Sequence, residues 1–367
     1  MKILHVLNEL KFSGAEIMYV DAAPIFKQLG AELYVWNTSL NMGEFAPFFE
    51  RAGYTSCEKY IPSSFFKQWK MRKEIIKALK DGAFDAVHVH RSDIAFLMAY
   101  CTHQLGIPCV YTYHNVFGYK WYTYLWHLIK RKIQTKVWNL RQTTISDSVY
   151  NHELKIYHNS TKKIYNWWGC NRFFPACNDE KLAVRNQIDI SSDAFVLVSV
   201  GGCSKIKRHS HIIKALPKII DRYPNVIYLH LGNGNTHKDE EKLAKELGVY
   251  EHIRFCGNQT DVRKYLIASD IYIMPSIYEG ISITTIEAMA CHIPCVLYDV
   301  PGLKDFNHTE ETAVIIPENY QMLADSVISL YEDNEKQQRL ICNAHKHIFD
   351  RYYMENNARK IFDLYKK

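Results

Sequence analysis

Short, nearly continuous apolar runs of strand length recur along the chain, separated by amphipathic stretches long enough for helices. In the first half they fall at 3–7, 32–38, 85–90, 109–114 and 143–146; in the second at 195–201, 226–232, 253–257, 271–275, 294–299 and 313–317. Continuous rather than alternating apolar character marks parallel strands covered on both faces. Strand–helix alternation of this length predicts an α/β protein of doubly wound sheets. Eleven strands overfill one comfortable sheet, so two domains facing across a cleft are expected, with ligands at the carboxyl ends of the strands. The break falls in 166–193, where a Trp/Gly/Pro stretch gives way to the polar, poorly periodic 178–193. The boundaries are therefore 1–170 and 171–351. One α/β domain with an appendage fits the strand count less well.

Composition narrows the class. With 367 residues, 47% hydrophobic and 23% charged, disorder is excluded, and 16 Gly with 11 Pro exclude a collagen-like chain. No apolar run approaches the roughly 20 residues that span a bilayer. The amino-terminal segment turns polar at Asn8-Glu9 before a signal-peptide core develops, so export is not expected. Ten cysteines without a C-x-x-C pair read as free thiols in a reducing cytoplasm. The net charge of +6 is modest; its distribution matters more.

Three strand ends carry candidate chemistry. Ser13-Gly14-Ala15-Glu16 opens a helix running towards Leu29, where backbone N–H groups can approach an anion, although such a glycine usually serves only its turn. Gly201-Gly202-Cys203-Ser204-Lys205-Ile206-Lys207-Arg208 follows the run 195–201 and combines small residues with a basic cluster. That suits a diphosphate as well as a plain solvated loop. The third is Pro275-Ser276-Ile277-Tyr278-Glu279-Gly280-Ile281-Ser282, leading into a helix that carries Glu287. Its helix start offers unpaired N–H groups and a positive dipole end. Glu279 precedes the helix and Glu287 lies more than a turn inside it, so the two carboxylates address different parts of one ligand.

This third stretch, Pro-Ser…Glu-Gly…Glu-Ala-Met-Ala with Glu279 and Glu287 eight positions apart, resembles the signature of the retaining nucleotide-sugar glycosyltransferases of family four, of GT-B fold. Other matches follow in order: Ser13-Gly14-Ala15-Glu16, Tyr113-His114-Asn115, Tyr165-Asn166-Trp167-Trp168-Gly169 with Phe174-Pro175, Gly232-Asn233-Gly234, Phe255-Cys256-Gly257 and Ala268-Ser269-Asp270. The resemblance implies two Rossmann-like domains, the first binding acceptor and the second the nucleotide sugar, with a last helix within 352–367 crossing back onto the first. It implies that Glu279 meets the donor sugar, Glu287 the ribose hydroxyls, and Lys207 the diphosphate. Gly14, Gly280, Ile281 and Ser282 would contribute backbone contacts, Asn233, Cys256 and Gly257 nucleotide-side turns, and His114 a hydrogen bond to the donor sugar.

One position departs from the pattern. Where the family places an arginine before the lysine, this chain has Gly202, and Lys205 and Arg208 are the candidate substitutes. Leaving-group charge can be stabilised by Lys207 and the helix start at Ser282, and no D-x-D dyad occurs, so no essential metal and no cofactor are expected. Retention is implied by the resemblance, through same-face attack without a protein nucleophile. The double-carboxylate scheme of glycoside hydrolysis does not fit the two glutamates. His88 and His90 share a strand face but lack an evident third ligand, so zinc is not expected there.

The positive charge gathers in 65–80 and 119–142, where lysines and arginines alternate with aromatic rings. That mixture suits the interface of an anionic bilayer, above all in 119–142, whereas 65–80 equally fits a solvated face with a few core aromatics; no nucleic-acid module is recognisable. The reading is a cytoplasmic enzyme, peripheral to the inner face of the cell membrane. It would transfer a sugar from a UDP-sugar to a saccharide or lipid-linked saccharide acceptor in surface-polysaccharide assembly. A non-catalytic sugar-nucleotide-binding protein and a GT-B epimerase or phosphorylase are the alternatives.

Overall fold

The computed structural model describes residues 1–116 and 121–366. The chain divides into two compact units, Met1–Trp167 with Met354–Lys367, and Trp168–Tyr353. The first holds β1 (Lys2–Leu7), β2 (Glu32–Asn37), β3 (Tyr54–Glu58), β4 (Ala86–Val89), β5 (Cys109–Tyr113), β6 (Arg141–Thr144) and β7 (Lys162–Lys163), in the order β3-β2-β1-β4-β5-β6-β7. The second holds β8 (Phe195–Val200), β9 (Val226–Leu231), β10 (Ile253–Gly257), β11 (Ile271–Met274), β12 (Cys295–Tyr298) and β13 (Val314–Ile316), in the order β10-β9-β8-β11-β12-β13.

All of these strand pairs are parallel. In each unit the strand order reverses beside the first strand, between β1 and β4 and between β8 and β11. A doubly wound sheet opens its ligand crevice at the carboxyl ends beside that switch. The central strands β4, β5, β8, β11 and β12 are buried throughout, which explains their mostly apolar sequences, interrupted only by the buried polar residues His88, Thr112 and Ser199.

Two strands escape the hydrophobic pattern. β3 is half exposed at one sheet edge, and β7 is a Lys-Lys pair at the other. An edge strand needs little apolar surface, so neither leaves a readable run. The helix expected from Gly14 towards Leu29 is two helices, Gly14–Asp21 and Ala23–Gln28. Pro24 enters at the start of the second, where its missing N–H costs nothing.

The terminal helix Met354–Phe362 belongs to the first unit and packs on Ala23–Gln28. Beyond it, the Tyr365 hydroxyl lies 2.6 Å from His88 Nδ1, and Arg141 donates to the Leu364 and Lys366 carbonyls. The unit boundary falls between two buried tryptophans. Trp167 Nε1 donates to the Met18 carbonyl at 2.9 Å in the first unit, and Trp168 Nε1 to the Phe173 carbonyl at 3.3 Å in the second. All ten cysteines are free thiols.

Candidate active site

In the second unit, the loops after β8 and β11 converge. The Ile277 N–H donates to the Ile206 carbonyl at 2.8 Å, tying the two loops together. Across that tie Lys207 Nζ donates to Glu279 Oε1 at 2.7 Å, and Ser276 Oγ donates to the same oxygen at 2.6 Å. Both partners of the ion pair are largely withdrawn from solvent, with side chains 24% and 13% exposed.

Two glycines shape this pair, Gly201 of the small-residue loop after β8 and Gly302, which lies outside the sequence motifs. Gly201 lets the Lys207 stem cross the end of β8: a Cβ there would sit 3.2 Å from its Cε. Gly302, at φ +82°, packs under the loop, where a Cβ would meet the Glu279 carbonyl oxygen at 2.3 Å. The adjacent Pro301 carbonyl accepts the Glu279 N–H at 2.9 Å. The Pro-Gly dipeptide was the available signal for a tight turn here.

The helix Ile283–Ala290 begins at once. Ser282 caps it, accepting from Thr285 N–H at 3.2 Å, and Thr284 Oγ1 donates to the Val200 carbonyl at 3.2 Å, fastening the helix start to the end of β8. Gly280, Ile281 and Ser282 are buried there, beside the positive end of the helix. Glu287 sits inside the helix, 6% exposed. Lys207, Glu279, Gly280, Ile281 and Ser282 thus lie on two joined loops at the switch point.

The remaining expected residues of this unit divide. The turns at 232–234 and 256–257 close on the site's backbone: Gly232 N–H donates to the Gly257 carbonyl at 2.8 Å, and Cys203 N–H to the Asn233 carbonyl at 3.1 Å. The Asn233 side chain turns back on its own loop, accepting from Gly234 N–H at 2.7 Å. Cys256 Sγ lies 3.3 Å from the Arg254 carbonyl, and burial pushes this thiol up to about 11. Arg208 is no ready substitute for the missing arginine, because its guanidinium pairs with Glu318. Lys205 and Gly202 are exposed, and a Cβ at Gly202 would meet only the Asn233 carbonyl oxygen, at 3.4 Å.

In the first unit, the carboxyl ends of the central strands line a cavity of about 400 Å³ that includes Ser13, Glu16, His90, Arg91 and His114. Gly14 starts the helix Gly14–Asp21; Ser13 hydroxyl and Glu16 carboxylate close its first turn on each other, and burial raises the Glu16 pKa. His114 follows β5. Its Nε2 lies 3.2 Å from His90 Nδ1, and His90 Nε2 lies 3.1 Å from His5 Nδ1. Desolvation pushes His114 down to about 4, so its ring is neutral near pH 7. His88 is committed on both nitrogens, to Tyr365 and to Thr112 Oγ1 at 2.7 Å.

A second depression, about 600 Å³, lies at the amino ends of β11 and β12, around Asp270 and Pro294, and contains none of the expected site residues. Among the described residues no helix is long and apolar enough to cross a membrane.

Comparison with known proteins places the fold in a family. Residues 12–178 match the family model described as glycosyltransferase family 4, and residues 180–347 that of glycosyl transferases group 1. An uncharacterized glycosyltransferase of Methanocaldococcus jannaschii is 29% identical over 191 residues, covering 51% of this chain and 49% of that protein. The Escherichia coli UDP-Gal:alpha-D-GlcNAc-diphosphoundecaprenol alpha-1,3-galactosyltransferase is 23% identical over 253 residues, covering 65% and 64%. The chain therefore spans about half to two thirds of the length of these curated relatives. A crystal structure of a glycosyltransferase from Rickettsia africae matches with a TM-score of 0.84 at 20% identity, covering 99% of this chain and 97% of that one. Anabaena HepE, solved in complex with UDP and glucose, matches at 0.81 and 19%, covering 99% and 98%. With both family models matched end to end and two parallel-sheet domains in place, the chain belongs to the family-four glycosyltransferases of GT-B fold.

Proposed function

We propose that this chain is a retaining glycosyltransferase. It takes a sugar from a UDP-sugar and places it on a hydroxyl of a saccharide, carried on a lipid diphosphate at the inner face of the cell membrane, in surface-polysaccharide assembly. The observation that carries the reading is the Lys207–Glu279 pair at 2.7 Å beside the capped start of the helix Ile283–Ala290. A cation and a helix amino end together suit a departing diphosphate. A carboxylate next to them suits the positive charge that develops on a sugar ring as the leaving group departs.

In this mechanism Lys207 Nζ exchanges its Glu279 contact for a diphosphate oxygen, with Gly280, Ile281 and Ser282 adding backbone N–H groups. Glu279, released from the lysine, faces the sugar. Glu287 accepts from the ribose hydroxyls, and neutral His114 hydrogen-bonds the donor sugar. The acceptor oxygen attacks from the face the diphosphate leaves, and its proton passes to the departing phosphate oxygen. No essential metal enters this scheme.

The acceptor assignment draws on the first unit's surface and on the E. coli relative, whose name specifies a diphosphoundecaprenol-linked substrate. Helices Phe65–Lys70 and Tyr124–Lys132 meet through Phe65 and Trp126, ring centroids 6.3 Å apart, with Lys130 Nζ 5.1 Å from both. Around them Phe66 is 79% exposed, Trp121 85% and Leu125 66%. Tyr119 and Lys120, part of the expected basic stretch, lie outside the described residues. Exposed rings flanked by lysines suit an anionic lipid interface.

The test is UDP release from a panel of UDP-sugars, with and without a lipid-diphosphate-linked saccharide, in the native chain and Glu279→Ala. Acceptor-dependent release that the variant loses supports the reading. Binding of UDP without turnover on any donor points to a non-catalytic binding protein, and release without acceptor to an epimerase; either outcome removes it. Co-sedimentation with anionic but not neutral vesicles supports the surface assignment, and equal pelleting with both overturns it.

A further inference from the structure

Directly behind the turn that carries Lys205 and Lys207 lies a second cluster of chemistry-bearing side chains. Cys203 and His209 bracket that turn, His230 comes from β9, and Glu240 from the helix His237–Glu246. All four are buried, at 2%, 0%, 0% and 4% exposure. One donor atom from each lies within 4.8 Å of all the others. Along the edges, Cys203 Sγ is 3.9 Å from His230 Nε2, His230 Nε2 is 3.0 Å from Glu240 Oε2, and His209 Nδ1 is 3.9 Å from Glu240 Oε1. A tetrahedral ion with bonds of about 2.0–2.3 Å needs donor edges of roughly 3.3–3.6 Å. The four donors bracket that spacing.

An independent observation points the same way. Neither ring nitrogen of His209 has a hydrogen-bond partner, although the residue is wholly buried, and an ion in the cluster would satisfy one of them. Buried polar atoms are rarely left unsatisfied, because each costs free energy on desolvation. The first unit offers the contrast. His5, His88 and His90 also cluster, but His88 spends both nitrogens on Tyr365 and Thr112, and His90 both of its own on His5 and His114. That cluster is a hydrogen-bonded chain that leaves one buried nitrogen, His5 Nε2, without a partner; in the one behind Lys207 a whole imidazole, His209, has none on either nitrogen.

We propose that Cys203, His209, His230 and Glu240 bind one zinc ion. One thiolate, two imidazoles and a carboxylate form a donor set suited to zinc. Thr236 Oγ1 donates to Glu240 Oε1 at 2.7 Å, as an outer partner that orients a ligating carboxylate. Binding releases the Cys203 thiol proton to solvent. Four protein ligands close the coordination sphere, so this ion activates no water and stands outside the transfer chemistry. Its effect is mechanical: it fastens both ends of the Lys207 turn to β9 and the helix behind it. The sequence pattern led to the expectation of no essential metal and no metal ligands, so this structural site departs from that expectation while leaving the transfer step metal-free. The inference rests on the geometry of the second unit alone, whatever the chain transfers.

The experiment is metal analysis of the full chain grown with zinc and dialysed without chelator, followed by cobalt(II) titration of the stripped protein. About one zinc per chain is expected, lowered at least ~10-fold in Cys203→Ser and in His209→Gln and unchanged in His88→Gln. Cobalt should produce a thiolate-to-metal charge-transfer band saturating near one equivalent and missing in Cys203→Ser. Zinc well below one equivalent in the native chain, or equal zinc in the native chain and both cluster variants, overturns the site. Should the cluster variants fail to fold, the native chain decides: a saturating cobalt–thiolate band upholds the site, and its absence refutes it.

Discussion

Lys207 Nζ and Glu279 Oε1 are 2.7 Å apart, so the cation proposed to hold a diphosphate is itself held by the carboxylate proposed to face the donor sugar. The pair is partly buried and braced by Ser276 on one side and the Gly201 and Gly302 packing on the other. Each member keeps the other oriented, and in the proposed mechanism the donor separates them. A buried partner left alone is costly, which makes the two single substitutions informative in opposite ways.

Lys207→Ala removes the cation and strands Glu279 next to incoming phosphate charge. UDP binding should weaken by about 1.5–3 kcal/mol, roughly 10- to 150-fold, the range for a charge-assisted hydrogen bond. Glu279→Ala instead frees the lysine. UDP, which lacks the transferable sugar that Glu279 would face, should bind at least as tightly as to the native chain while sugar transfer is lost. Isothermal titration with UDP alongside a turnover assay separates the two; a Glu279→Ala variant that loses UDP binding contradicts this division of labour.

Gly202 stands where the family pattern has arginine. The structure leaves room for one: the position is exposed, its φ is not in the left-handed region, and a Cβ meets only the Asn233 carbonyl oxygen, at 3.4 Å. Gly202→Arg should therefore fold normally and tighten UDP binding by up to ~10-fold, the lower end of a charge-assisted contact. Unchanged affinity would mean that the phosphates lie out of reach of this turn.

The central strands were legible because burial on both faces demands mostly apolar runs; β3 and β7 were not, because an edge strand makes no such demand. The candidate site was legible for a related reason. Glu279, Lys207 and Ser282 sit at strand ends, where polar residues interrupt the apolar pattern abruptly. Features that depend on long-range packing stayed hidden: Ser276 as a second donor to Glu279, Gly302 beneath the loop, and the commitment of Arg208 to Glu318. The four-residue Cys/His/His/Glu cluster was equally invisible, since its members are spread from 203 to 240 without a regular spacing.

Gly302→Ala tests the packing under Glu279. At φ +82° and 2.3 Å from a backbone oxygen, a Cβ forces the loop to move. Left-handed strain and displacement together should cost about 1–3 kcal/mol, read as a lower Tm. Turnover should fall further than stability alone accounts for, because the displaced segment carries Glu279. A variant with native turnover would show that the loop position is not critical.

The histidine chain of the first unit gives the pH dependence. Burial holds His5 at about 3 and His114 at about 4, and pushes His88 and His90 well below the ordinary 6.5. Above pH 6.5 these rings are neutral whether the chain is folded or not, so they add no pH dependence. Below 6.5 the unfolded chain takes up protons that the folded chain refuses, and stability falls, at up to about 1.4 kcal/mol per pH unit for each ring, until the folded value is reached. The loss should thus begin near pH 6.5 and continue towards pH 4. Urea unfolding midpoints measured from pH 7.5 to 5 check it. His114→Asn should flatten the slope by one proton's worth between pH 6 and 5, because asparagine keeps a polar side chain at the strand end without a titrating group. A midpoint that holds constant down to pH 5 would mean that these rings accept protons in the folded state, and with them that His114 is no longer a neutral partner for a donor sugar.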